Sequence, residues 1–167
     1  MLFRSTFETN KVIIRRSEVS MIAGTPGAGK STLALAIALR TKVPTLYISA
    51  DTNAHTMAMR LLSMITGKPQ SDAERWLTDD VEGSRKIINE NSGHIFWSFE
   101  SAPTLADVDQ EVAAFEELWG CSPTLIVVDN LMDISNDGAE EFAGMRSTIK
   151  ELKYLARDTN AAILVLH

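Results

Sequence analysis

The stretch Gly24-Thr-Pro-Gly-Ala-Gly29-Lys30-Ser31 decides how the rest of the chain is read. It follows the apolar run Val19 to Ala23 and precedes the alanine- and leucine-rich run Ser31 to Leu39. The order predicted is therefore strand, glycine turn, helix. In that context the complete spacing G-x-x-x-x-G-K-[ST] specifies a phosphate-binding loop rather than an ordinary glycine turn. Glycines let the main chain curl until its N–H groups point at phosphate oxygens. The N-terminus of the following helix adds partial positive charge. The candidate nucleotide-binding residues are Gly24, Thr25, Pro26, Gly27, Ala28, Gly29, Lys30, Ser31 and Thr32. Lys30 is expected to reach the β- and γ-phosphates, and the Ser31 hydroxyl to bind Mg2+.

Working outward, short apolar runs alternate with helical patterns. Thr45 to Ser49, after Pro44, reads as a second strand. Asn53 to Ile65 follows as a helix with Met57, Leu61, Met64 and Ile65 on one face, ended by Gly67 and Pro69. Ser71 to Asn91 is polar and reads as one or two short helices, and His94 to Phe99 is a third apolar run. Thr104 to Leu118 is predicted helical: it opens with Thr104-x-x-Asp107, repeats apolar residues at Val108, Val112, Phe115 and Trp119, and is closed by Gly120. Thr124 to Val128 is continuously apolar, as expected of a central strand buried on both faces. Glu140 to Asp158 carries Phe142, Met145, Ile149, Leu152 and Ala156 at helical spacing, and Ala162 to Leu166 is a last buried strand. Strands alternating with helices in this way predict an α/β chain with a parallel sheet between helical layers.

The 167 residues amount to one domain, 1–167, with 1–17 as a lead-in segment. Hydrophobic residues make up 45% and charged residues 23%, which excludes a disordered or fibrous chain. The longest apolar run, Leu33 to Leu39, is far short of the ~20 residues that span a bilayer, so no membrane partner is expected. One cysteine, Cys121, excludes an internal disulfide and a cysteine-based zinc site, and a cytoplasmic location is expected. The net charge of −6 means that any nucleic-acid contact must be local rather than spread over the surface.

Two carboxylates stand at strand ends, where a parallel sheet opens its ligand crevice. Asp129 follows Thr124–Val128 and is the candidate to hold the Mg2+ water shell. Asp51 follows the second strand, and two readings stay open: a carboxylate that polarises the attacking water, or an N-cap for the Asn53 helix. His167 ends the last strand beside the expected γ-phosphate, and Asp133 is a weaker loop candidate. Arg146, Lys150, Lys153 and Arg157 form a basic stripe on the Glu140–Asp158 helix. It fits a solvated face first, then a subunit interface, then a nucleic-acid contact. Trp97 and Trp119 fall on apolar-patterned positions and, with Trp76, read as core, as do Met57, Met59 and Met64.

These residues resemble the RecA-type ATPase core, and most closely the motor domain of DnaB-type replicative helicases and their phage relatives. The resemblance runs from Glu18 to His167. It is carried by the phosphate loop, Tyr47-Ile-Ser-Ala-Asp51, Met59-Arg60-Leu61-Leu62, Ile95-Phe-Trp-Ser-Phe with Pro103-Thr-Leu, Leu125-Ile-Val-Val-Asp129-Asn-Leu-Met, and Ile149-Lys-Glu-Leu-Lys-Tyr-Leu-Ala156 running into Ala162-Ile-Leu-Val-Leu-His167. It implies a three-layer parallel-sheet P-loop NTPase of RecA type that uses ATP and Mg2+, acts on single-stranded DNA and assembles into a ring. It implies catalytic roles for Lys30, Asp51, Asp129 and His167, with His167 as a γ-phosphate sensor, and metal binding by Ser31 and Asp129.

Three departures accompany it. The family usually has Glu at position 51, one methylene longer. It often has Gln at 167, although His occurs in related plasmid and phage ring ATPases. Its DNA-binding loop, further strands and arginine or lysine finger come after the last strand seen here. The core is therefore expected to be incomplete at its C-terminus, and the chain alone mostly monomeric and slow. The alternatives are a RecA-like nucleotide switch, such as a loading or recombination factor, and a small-molecule P-loop kinase. DNA-stimulated turnover and the fate of the γ-phosphate separate the three.

Overall fold

Across residues 12–134 and 141–167, the part of the chain that this computed structural model describes, five apolar runs form one parallel sheet. The strands are β1 (Val19–Ile22), β2 (Thr45–Ser49), β3 (Ile95–Ser98), β4 (Leu125–Asp129) and β5 (Ala162–Leu166). Their order across the sheet is β1-β5-β4-β2-β3, with every neighbouring pair parallel. The helices are α1 (Lys30–Thr41), α2 (Ala54–Thr66), α3 (Gln70–Asp79), α4 (Val81–Ser92), α5 (Leu105–Trp119) and α6 (Glu141–Thr159). A 3-10 turn, Leu131–Asp133, follows β4. None of these helices is long and apolar enough to cross a membrane. The side chains of Asp133 and Phe142 lie outside the described residues.

Strands β2, β4 and β5 are buried along their whole length, which is why their middles (46–48, 125–128 and 162–166) run apolar rather than alternating. The two-residue period of a strand still sorts their side chains. Tyr47, Val127, Leu164 and Leu166 pack with Ala34, Leu35 and Ala38 of α1 and Met57 and Leu61 of α2. Leu46, Ile48, Ile126, Val128, Ile163 and Val165 pack on the other face with Val108, Val112 and Phe115 of α5 and Leu152 and Ala156 of α6. Helices on both faces give the three layers.

Local chemistry sets the boundaries. Asn53 caps α2 by accepting from the Thr56 N–H at 2.9 Å, and Gly67 ends that helix in the left-handed conformation. The polar stretch before β3 divides into two helices at Asp80, whose carboxylate accepts from the Gly83 N–H at 2.9 Å and starts α4. Thr104 and Asp107 form a full capping box at the head of α5. The half-buried Trp97 and Trp119 pack against the two core faces, as their positions in the pattern require.

Candidate nucleotide site

The loop between β1 and α1 takes its shape from two glycines. Gly27 (φ 78°) and Gly29 (φ 85°) both sit in the left-handed region, which side chains with a Cβ rarely adopt. A Cβ at either position would meet nothing within 4 Å, so glycine is needed there for conformation and not for room. Gly29 directly precedes α1, and no side chain caps that helix. The N-terminus is thereby left to an anion. The Lys30 ammonium donates to the carbonyls of Gly24 (2.6 Å) and Thr25 (3.2 Å), across the mouth of the loop.

Asp129, the last residue of β4, is 2% exposed and faces the α1 side of the sheet. Each of its carboxylate oxygens accepts one hydroxyl: Ser31 donates to Oδ1 at 3.0 Å and Tyr47 donates to Oδ2 at 3.0 Å. Burial pushes the Asp129 pKa up, while the two hydroxyl bonds oppose that shift. Burial, then the neighbouring Asp129 charge, holds the Tyr47 phenol well above its ordinary value, so it remains a donor.

A cavity of about 440 Å³ opens beside this group. It is lined by the loop from Pro26 to Thr32, by Asp129 and Asn130, by Asp51, and by Arg60 and Gln70 at one side. Asp51 is exposed and accepts from the Thr52 hydroxyl at 3.0 Å, and Thr52 in turn accepts from Arg60 at 3.4 Å. The cap of α2 is Asn53, so Asp51 is not that helix's capping residue. Lys30, Ser31, Asp51 and Asp129 thus meet around one cavity.

His167 is placed differently. Its N–H donates to the Ile22 carbonyl (2.9 Å), and its carbonyl accepts from the Gly24 N–H (3.0 Å). These bonds tie the end of β5 to the start of the phosphate loop. The side chain is exposed and is not among those lining the cavity.

Three contributors escaped the sequence reading. Tyr47 lay hidden in an apolar strand, where the need of a buried hydroxyl for a partner is the signal that finds it. Arg60 sat inside a recognised segment without a role. Gln70 reaches the cavity only because α3 folds back after Pro69, which no local pattern reveals.

The donor set fits Mg2+. Among the described residues no three His, Cys, Asp or Glu side chains gather as a self-sufficient metal cage. One hydroxyl and one carboxylate next to a phosphate loop is instead the set that Mg2+ uses when phosphates and water complete its shell.

The AAA-domain sequence pattern matches residues 10–167. Gene 65 protein of Mycobacterium phage L5 is 32% identical over 157 residues, covering 92% of this chain and 59% of that protein. Gene 65 protein of Mycobacterium phage D29 is 35% identical over 152 residues, covering 88% and 65%. The chain therefore spans less than two thirds of these curated relatives. Among solved structures, an ATPase domain superposes with a TM-score of 0.76 at 12% identity, covering 99% of this chain and 68% of that one. A DnaB-like replicative helicase, solved for its interactions with primase, gives 0.75 at 13%, covering 92% and 39%. The RadB recombinase gives 0.58 at 14%, covering 98% and 67%. At such identities the likeness is one of fold.

Proposed function

Because the chain belongs to the AAA-domain family and carries a RecA-type P-loop ATPase core, we propose that it binds Mg-ATP, hydrolyses it, and drives movement on single-stranded DNA as a DnaB-like helicase core. The observation that supports the Mg-ATP part of this reading is the meeting of Ser31 and Asp129 at 3.0 Å on the rim of a cavity shared with Lys30 and Asp51. The loop N–H groups and the α1 N-terminus cradle the phosphates. Lys30 exchanges its two carbonyls for β- and γ-phosphate oxygens. Ser31 and Asp129 hold Mg2+, which when bound offsets phosphate charge and eases attack at phosphorus. Asp51 orients the attacking water from the exposed side of the cavity. His167, whose main chain is bonded to the start of the loop and whose side chain lies outside the cavity lining, takes the γ-phosphate sensor role that the resemblance implies. In a longer product, subunits of a ring supply one another with the arginine or lysine finger that the family carries after its last strand here, and the natural setting is the cytoplasm.

The test is ATP turnover with and without single-stranded DNA, on this chain and on longer products. Stimulation by DNA supports the motor. Turnover indifferent to DNA favours a nucleotide switch, and phosphate transferred to an acceptor other than water favours a kinase. Lys30→Ala should weaken nucleotide binding or abolish turnover, because it removes the cation facing the β/γ-phosphates. Unchanged affinity and turnover in that variant would overturn the assignment of the loop.

A further inference from the structure

We propose that Tyr47 is a positioning residue for the metal site: its hydroxyl fixes the Asp129 carboxylate so that Mg2+ is bound tightly by the nucleotide complex. This rests on the nucleotide site proposed above.

The placement follows from register. Tyr47 pairs with Val127 across β2 and β4, so Asp129 lies two residues further along the neighbouring strand and on the same face. Two residues of strand cover about 6.6 Å, and among the apolar-bodied side chains tyrosine is the one that spans such a gap and ends in a donor. The ring has no freedom to wander. It is 0% exposed, it packs in the α1/α2 face of the core, and the Trp97 ring lies against it at 5.1 Å between centroids. The hydroxyl meets Asp129 Oδ2 at 3.0 Å while Ser31 takes Oδ1.

The two hydroxyls differ in what they can do next. Ser31 stands in the first turn of α1 and lines the cavity, where its hydroxyl can exchange the carboxylate for the metal. Tyr47 sits behind the carboxylate, within the sheet, and keeps its bond. Without it, a carboxylate buried at the end of β4 loses its fixed partner and can rotate away. Outer-shell partners of this kind commonly change metal affinity by ~10–100-fold.

The experiment uses Tyr47→Phe, which keeps the ring and deletes only the donor. Affinity for a fluorescent ADP analogue is measured in EDTA and then across a Mg2+ titration, with melting temperature alongside. The expected result is unchanged affinity in EDTA and a Mg2+ half-saturation point raised on the order of 10-fold. Turnover should recover at high Mg2+. Equal Mg2+ dependence in the variant and the parent overturns the proposal while leaving the nucleotide site intact. A parent chain whose nucleotide affinity ignores Mg2+ overturns both.

A second measurement avoids the risk that the variant fails to fold. The chain has two tyrosines, and Tyr154 is 46% exposed on α6, so 3-fluorotyrosine gives one site signal and one internal reference. The Tyr47 fluorine resonance should move between ADP in EDTA and Mg-ADP, with Tyr154 unmoved. A Tyr47 signal blind to the metal would also sink the proposal.

Discussion

The ends of β4 and β2 make an instructive pair. The strands are neighbours in register, Ser49 beside Asp129, and each leads into an aspartate that lines the same cavity. Asp129 is almost wholly buried and held through both oxygens by hydroxyls from two other elements. Asp51 is exposed and held by the residue next to it in sequence. The difference fits the two kinds of work proposed for them. A group that orients a metal must stay in one place, which burial and long-range bonds ensure. A group that addresses water must remain solvated and accessible, and it gives up rigidity for that.

The comparison can be broken by variants at each end. Asp51→Asn should have the largest effect, cutting turnover by ~10²–10⁴, the usual worth of a general base. Nucleotide affinity should hold. Since Asn53 is the cap of α2, the melting temperature should hold too. Wild-type turnover in that variant, measured where ATP is being hydrolysed, would leave Asp51 without a catalytic role.

Asp129→Asn should act on metal and on stability in opposite directions. Mg2+ affinity of the nucleotide complex should fall by ~100-fold or more, because losing a group that holds the metal costs at least as much as losing an outer-shell partner, ~10–100-fold. The metal-free fold should become more stable at neutral pH. Burial raises the folded pKa of Asp129, so its favourable contribution is complete below the ordinary carboxylate pKa and is lost as pH rises through the raised value. Melting of variant and parent across pH checks this: the gain should be present at pH 7 and shrink as the pH falls. A destabilised variant at pH 7 would mean that the two hydroxyl bonds outweigh the desolvation.

The smallest effect belongs to the cap that lies between Asp51 and α2. Asn53→Ala should cost ~1 kcal/mol of stability, read by denaturant unfolding, with little change in turnover per folded molecule. A loss of turnover as large as that of Asp51→Asn would show that the α2 cap governs the position of Asp51.

Much of this arrangement was legible in the sequence because it is local. The loop, the strand-end positions of Asp51 and Asp129, and all five strands follow from motifs and apolar runs within a few residues of one another. The α2 cap is also local, yet Asp51, Thr52 and Asn53 are all good capping types, and only the main-chain path selects Asn53. What stayed hidden depends on register between strands and on how helices fold back. Tyr47 meets Asp129 across 82 positions of sequence, a distance at which no periodicity speaks. Arg60 and Gln70 join the cavity for the same reason: α2 and α3 bring them to the carboxyl ends of β2 and β4 along a path set by packing.

The fastening of the loop to β5 through main-chain atoms alone has a further consequence. The bonds from Gly24 to the His167 carbonyl and from His167 to the Ile22 carbonyl are available to nearly any amino acid at that position. Mutation there can change the side chain without loosening the loop it stands beside. Position 167 is thus a place where the side chain can be exchanged while the path of the main chain beside the loop stays as it is.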